Sequence, residues 1–159
     1  MKSFNRKYSS LLLLIITSAL IFTSFSCAKE KNEEAVTSSD TLTSHKMIIK
    51  VNSQTFTATL LDNKTTQAFK QLLPMTIHMT ELNGNEKYFD LSQSLPTEAS
   101  NPGNIKNGDI MLYGSKSLVL FYKTFQTSYD YTKVGTVNNV EDYAAALSTG
   151  NVTVALEMD

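Results

Sequence analysis

Hydrophobic and polar positions alternate along much of the chain after residue 45, which is the pattern of β-strands that are buried on one face. Met47 and Ile49 begin the pattern, and a turn at Asn52-Ser53 joins this stretch to a second one, so the two predict a hairpin. The predicted strands lie at 47–51, 55–60, 75–80, 87–91, 109–113, 117–122, 133–137 and 152–156. Because the segment 117–122 is apolar almost throughout, we expect it to be a central strand.

Two segments instead have the spacing of helices that bury one face. The first has Asp62 or Asn63 as its N-cap and ends at Pro74, which cannot continue a helix. The second has Asn138 or Asn139 as its N-cap. The positions predicted to be buried are Ala68, Phe69, Leu72 and Leu73 in the first helix and Val140, Tyr143, Ala144 and Leu147 in the second.

About eight short strands and two helices in residues 46–159 predict one mainly β domain. Closing the sheet into a small barrel would remove its exposed edges, and the two helices would then cap the open ends of the barrel. A half-closed roll is the alternative. The sequence shows no internal repeat and no second domain.

The N-terminus has the features of a secretory signal peptide. Residues 2–7 include three basic side chains, and the 15 residues from 11 to 25 carry no charge. That run is shorter than a membrane-spanning helix, which needs about 20 apolar residues. It ends just before Cys27 in a sequence that resembles the lipobox of bacterial lipoproteins. We expect residues 1–26 to be removed and Cys27 to be lipidated; a plain secretory signal is the alternative.

Residues 27–45 are rich in charged and hydroxyl side chains and show no hydrophobic periodicity, so we expect a flexible tether. Acyl chains on Cys27 would anchor the protein to a membrane. The predicted location is the bacterial cell envelope, with the outer membrane favoured. Several acidic residues follow Cys27, and they indicate either exposure on the cell surface or simple solubility.

Composition excludes several classes of function. The formal net charge of −1 gives no sign of a nucleic-acid partner. A single cysteine excludes a disulfide framework and a multi-cysteine zinc site. His45 and His78 are isolated, and no glycine-rich phosphate loop follows a strand. We therefore expect neither a bound metal nor a cofactor.

Six short motifs in residues 46–159 occur in the order in which a known family has them. They are LPM at 73–75, ELNGNEKY at 81–88, NPG at 101–103, GDIMLYG at 108–114, LVLFYK at 118–123 and TSYDYT at 127–132. Together they resemble the bacterial cyclophilin-like fold proteins, small β-barrels that often occur as lipoproteins. The resemblance implies a cyclophilin-like barrel, and the family carries no agreed biochemical function.

Cyclophilins themselves are prolyl isomerases whose catalysis depends on an arginine. Cleavage before Cys27 would remove Arg6, the single arginine, and leave 11 Lys against 15 acidic residues, a net charge of −4. A lysine does not reproduce the planar guanidinium group. The resemblance therefore implies the fold without the isomerase activity.

Aromatic residues are concentrated between positions 113 and 131. Tyr129 and Tyr131 lie in a polar loop, where a tyrosine offers a ligand both a flat face and a hydroxyl group. The candidate ligand-binding residues in this region are Tyr113, Phe125, Ser128, Tyr129 and Tyr131. The alternative is that these rings pack into the barrel and fill its mouth.

Glu81 continues the inward-facing positions Met75, Ile77 and Met79, so it should lie at one end of the barrel near a turn. Partial burial there would raise its pKa, which makes Glu81 the best candidate for a functional acid. The alternative is an exposed glutamate at the end of a strand.

We therefore expect a monomeric, membrane-anchored, non-catalytic binding module for a small molecule or an extended peptide. Because the mature chain lacks arginine, a neutral or weakly polar ligand is favoured over phosphate or nucleic acid. One alternative is an enzyme, either a divergent prolyl isomerase or a hydrolase that uses Glu81. Another is a structural lipoprotein without a pocket.

Overall fold

The structure is a computed structural model that describes residues 44–159. The predicted signal peptide at 1–26, the lipidation site Cys27 and the tether as far as residue 43 lie outside the described residues. Within the part that is described, no helix is both long enough and apolar enough to cross a membrane.

The domain contains ten strands and two helices over residues 44–159. The strands are β1 (Lys46–Val51), β2 (Gln54–Leu60), β3 (Met75–Leu82), β4 (Glu86–Asp90), β5 (Asn104–Ile105), β6 (Asp109–Tyr113), β7 (Ser117–Phe121), β8 (Phe125–Gln126), β9 (Tyr131–Val137) and β10 (Val152–Met158). The helices are α1 (Lys64–Lys70) and α2 (Glu141–Leu147).

Eight of these strands form a closed antiparallel barrel in the order β1-β10-β3-β4-β7-β6-β9-β2. The mainly β barrel with two helices is therefore confirmed, and the sheet closes rather than remaining a half-closed roll. β5 and β8 pair only with each other, as a separate two-stranded sheet. The sequence did not predict them, because two residues are too few to show an alternating pattern.

The hydrophobic interior of the barrel is built from alternate residues of its strands and from both helices. On α1 the buried apolar residue is Phe69, and on α2 the buried residues are Tyr143 and Leu147. The ring of Tyr143 meets that of Phe56 edge to face, with 5.4 Å between centroids. Both helices thus pack against the interior of the barrel.

The two helix starts differ from each other. Asn63 is the N-cap of α1, and its side chain accepts a hydrogen bond from the Thr66 N–H at 2.8 Å. For α2 the prediction of an asparagine cap was wrong, because Val140 occupies the cap position. Asn139 lies one residue earlier and accepts from the Glu141 N–H at 3.4 Å. Asn138 instead accepts a hydrogen bond from the Thr59 hydroxyl.

One side of the barrel is also apolar on its outer face. Along β7, Leu118 and Leu120 belong to the interior, whereas Val119 and Phe121 belong to a second, outer cluster. β7 is paired on both sides, with β4 and β6, so it is the central strand that its apolar sequence predicts. The outer cluster also contains Ile105 of the small β5–β8 sheet. This outer face positions the candidate site.

Candidate functional site

A cleft of about 480 Å³ lies on the outer face of the barrel wall. Outward-facing residues of the barrel line it, among them Tyr88 of β4 and Val119 of β7. Residues of β8 and of the segment that follows it complete the lining, including Phe125. The cleft therefore lies outside the barrel and not in its mouth.

Aromatic rings make up much of the cleft. Tyr113 is 6.0 Å from Tyr129 and 5.5 Å from Tyr131, measured between ring centroids. Tyr131 in turn meets Phe121 edge to face at 5.5 Å. Tyr113 is 47% exposed and Tyr129 is 61% exposed, whereas Tyr131 is only 8% exposed. Two rings are thus open to a ligand, and the third is buried and packs against Tyr113.

Five of the six predicted binding residues line this cleft: Tyr113, Phe125, Ser128, Tyr129 and Tyr131. Their role in binding stays a prediction, but the structure does bring them together. Since Tyr113 and Tyr129 are exposed on the outer face of the barrel, these rings do not fill its mouth. Glu81 is not among the lining residues.

Glu81 instead faces the inside of the barrel, at the end closed by the β3–β4 turn. It lies opposite Lys87, which lies opposite the interior residue Leu120. The Glu81 carboxylate forms an ion pair with Lys87, whose side chain is completely buried. It also accepts the Tyr122 hydroxyl at 2.8 and 2.9 Å and the Gly84 N–H at 2.8 Å. Each oxygen of this carboxylate therefore has donors from the protein itself.

The expected rise in the pKa of Glu81 was wrong. Burial does raise the pKa of this carboxyl, but hydrogen bonds from Lys87 and Tyr122, the charge of Lys87 and the Gly84 N–H together outweigh burial. The net pKa lies below the ordinary value, because the donors around Glu81 favour its ionised form. Burial, followed by the hydrogen bond and charge of Glu81, raises the pKa of Tyr122 to about 12.

The acid that does line the cleft is Glu86, which was not predicted. It lies opposite Phe121 of the outer cluster and is only 8% exposed. Burial raises its pKa, and the negative charge of Glu81 adds to the rise. Burial also raises the pKa of Tyr131, and the charge of Glu86 contributes, which places the two groups in one electrostatic environment.

Nothing in the sequence around Glu86 distinguishes it from the exposed acids of the chain. The alternation of Lys87 with Tyr88 gives no sign of which face is buried, because both faces of this wall are covered. Only the pairing of Glu86 with Phe121, a residue of the outer cluster, shows that Glu86 faces the cleft.

The remaining polar groups of the cleft are uncharged. They are the amides of Asn83, Asn85 and Gln126 and the hydroxyls of Ser117, Thr127 and Ser128. No lysine lines the cleft. Within residues 44–159, no three His, Cys, Asp or Glu side chains gather in an arrangement that could hold a metal ion.

A smaller cavity of about 290 Å³ lies on the other side of Tyr131. It is lined by Lys106, Asp109 and Lys133, among others. Asp109 accepts the Lys106 N–H at 2.9 Å and pairs with the Lys133 ammonium at 3.0 Å. This carboxylate therefore holds the turn before β6 in place.

The sequence matches the model of the cyclophilin-like family over residues 49–157. The chain belongs to that family. No curated protein matches the sequence.

Two solved structures resemble this cyclophilin-like domain in fold. The hypothetical protein AF2241 from Archaeoglobus fulgidus, known from a solution structure, is 16% identical with a TM-score of 0.50, over 72% of this chain and 95% of that one. McbB, whose structure was determined in complex with tryptophan, is 15% identical with a TM-score of 0.50. That match covers 71% of this chain and only 44% of McbB, so this chain spans less than half of the McbB length.

Proposed function

We propose that this cyclophilin-like domain is a non-catalytic binding module that takes a small molecule or an extended peptide in the outer cleft. The observation that carries the proposal is the pair of exposed rings, Tyr113 and Tyr129, which contact each other at the cleft, with Tyr113 also packed against the buried Tyr131. Exposed aromatic rings next to hydroxyl and amide groups are typical of ligand sites, since they combine apolar contact area with a few directional hydrogen bonds.

The size and lining of the cleft support this function. A volume of about 480 Å³ is within the range of small-molecule sites. The cleft offers Ser128 and Gln126 as hydrogen-bonding groups beside the rings. McbB was determined with tryptophan bound, and although that likeness concerns the fold alone, it makes an indole a reasonable first probe.

The lining argues against catalysis. Among the cleft residues neither Ser117 nor Ser128 is accompanied by a histidine that could act as its base. Residues 44–159 contain no arginine to serve a prolyl isomerase. Glu81, the acid of the hydrolase alternative, is engaged by Lys87 and Tyr122.

We further propose that Cys27 carries a lipid that anchors the module in the bacterial cell envelope, where it acts as a monomer. The support is the charge-free run at 11–25 followed by the chain's single cysteine. A tether from residue 27 would then hold the cleft close to the membrane.

Binding is tested by fluorescence, because the protein contains no tryptophan and an indole ligand can be excited selectively. The full chain, in micelles of an uncharged detergent, is titrated against tryptophol, a neutral indole alcohol. We expect a saturable change in emission that Tyr129→Ala weakens and that Leu61→Ala, a control at an exposed apolar residue outside the cleft, leaves unchanged. Equal binding by both variants would contradict the proposed site. Catalysis of proline-peptide isomerisation would favour the enzyme alternative.

A further inference from the structure

Glu86 is a largely buried residue of the cleft lining whose carboxylate has no hydrogen-bond donor among residues 44–159. Its residue is 8% exposed, and among the described residues no side chain or backbone N–H donates to its carboxylate. Glu81, five positions earlier, has donors from Lys87, Tyr122 and Gly84. The Glu86 oxygens are not among the fully buried, unpartnered polar atoms of the described residues, so they are accessible from the cleft that Glu86 lines. Glu86 therefore lacks the protein donors that Glu81 has and can be reached by a ligand.

The surroundings of Glu86 favour positive charge. Of the fourteen described residues that line the cleft, Glu86 alone has an ionisable acidic or basic side chain other than a tyrosine. No lysine in this lining is therefore available to pair with its carboxylate. The ring centroid of Tyr113 lies 6.0 Å from that of Tyr129 and 5.5 Å from that of Tyr131, so the lining carries a group of aromatic rings. Aromatic faces attract ammonium groups, most strongly where the site is partly removed from water.

We propose that the ligand of this cleft carries a cationic amine, which forms an ion pair with Glu86 while its apolar part lies against the tyrosine rings. This inference rests on the proposed binding function, and it replaces the neutral or weakly polar ligand expected from the sequence with a cationic amine. The amine could belong to a small molecule or to a peptide, since the recognised chemistry is the same. An anionic ligand would meet the charge of Glu86 with no basic residue in the lining to offset it.

The test is a comparison of three indoles that differ in the charge of the side chain: tryptamine is a cation, tryptophol is neutral and indole-3-acetate is an anion. Each is titrated by fluorescence against the full chain in uncharged detergent micelles. We expect tryptamine to bind about tenfold more tightly than tryptophol, and indole-3-acetate to bind most weakly. Micelles without protein correct for partition of the probes.

Two variants test whether the preference for tryptamine depends on the Glu86 carboxylate. In Glu86→Gln the preference for tryptamine should disappear while tryptophol still binds. In Glu141→Gln, which removes the same charge from α2 outside the cleft, the preference should persist. The charge series on the unmodified protein stands even if the Glu86 variant does not fold.

The outcomes separate this inference from the proposed function. Tryptophol binding as tightly as tryptamine would overturn the inference and leave the binding module intact, with a protonated Glu86 donating to a neutral ligand. A preference for tryptamine that survives in Glu86→Gln would overturn the assignment to Glu86. Failure of all three indoles to bind would overturn the proposed function and the inference with it.

Discussion

Glu81 and Glu86 lie on the two strands of one hairpin and face opposite sides of the barrel wall. Glu81 lies opposite Lys87 and faces the interior, whereas Glu86 lies opposite Leu82 and faces the outer cleft. The pKa of Glu81 is lowered by its donors despite burial, and the pKa of Glu86 is raised by burial. Two identical side chains five residues apart therefore have pKa values shifted in opposite directions, because one has donors inside the barrel and the other has none from the described residues.

Removing the charge of Glu81 should destabilise the protein. In Glu81→Gln the fully buried ammonium of Lys87 loses its counter-ion, and we expect a loss of roughly 2–4 kcal/mol in the free energy of unfolding. Urea unfolding measures it. Glu81→Gln combined with Lys87→Met should lose less than the sum of the two single changes, because the double variant leaves no buried charge unpaired. Strict additivity would show that the pair is not coupled.

The two glutamates should change stability with pH in opposite directions. The folded pKa of Glu81 lies below 4.5, so its contribution is present above that pH and lost as pH falls through the folded pKa. The folded pKa of Glu86 lies above 4.5, so its contribution is present below that pH and lost as pH rises through the folded pKa. Apart from burial, Glu81 is the charge that raises the pKa of Glu86, and the charge of Glu86 in turn adds to the effect of burial in raising the pKa of Tyr122 and of Tyr131.

Melting temperatures measured across a pH series show the direction in which each glutamate changes stability. At neutral pH we expect Glu86→Gln to melt above the unmodified protein and Glu81→Gln to melt below it. The gain in Glu86→Gln should shrink toward pH 4.5, and the loss in Glu81→Gln should shrink below it. A Glu86→Gln protein that is less stable at neutral pH would contradict the assignment of Glu86 as a carboxyl without donors.

Tyr129, in the loop before β9, and Tyr131, the first residue of β9, should separate stability from binding. Tyr131 is buried against Phe121 and Tyr113, so Tyr131→Ala is expected to lower the free energy of unfolding by roughly 2–4 kcal/mol. Tyr129 is 61% exposed, so Tyr129→Ala should change stability little and reduce affinity for tryptophol. Chemical denaturation and titration are run on both variants. A large loss of stability in Tyr129→Ala would remove the basis for treating it as a binding residue.

Gly135 allows two strands of the barrel to approach closely. A Cβ atom at this position would lie 2.7 Å from the Thr59 carbonyl oxygen and 3.2 Å from the Leu60 Cα atom. Gly135→Ala should therefore destabilise the barrel by roughly 1–3 kcal/mol. Gly150→Ala is the comparison, since nothing lies within 4 Å there and only its positive φ of 63° opposes a side chain. The Gly135→Ala protein should have a lower melting temperature than the Gly150→Ala protein.

Lipidation is predicted at Cys27. Cells that express the protein with a labelled fatty acid should label the unmodified chain, and Cys27→Ser should abolish both the label and the membrane association. Ser39→Ala, in the expected tether and outside the lipobox-like sequence, serves as the control and should retain the label. Labelling that persists in Cys27→Ser would show that the lipid is attached elsewhere.

The sequence by itself determined the eight barrel strands and the start of the first helix, with Asp62 or Asn63 as its cap. The structure selects Asn63 and ends the helix at Lys70, before the predicted end at Pro74. The strands and the helix start follow from local rules: alternation marks a strand with one buried face, and a short side-chain acceptor marks a helix start. The turn at Asn52-Ser53 was likewise predicted, and Asn52 adopts the left-handed conformation there, with φ of 55°. Local residue types are sufficient for such features.

The tertiary structure alone decided the position of the cleft and its acid. Alternation identifies two faces of a strand but does not say which is interior when both are covered, as on β7. Glu86 pairs with Phe121 and so faces the outer cleft, whereas Glu81 pairs with Lys87 and so faces the interior of the barrel. Both pairings join residues from different strands of a closed barrel, so the pKa values of the two acids follow from contacts that no local pattern contains.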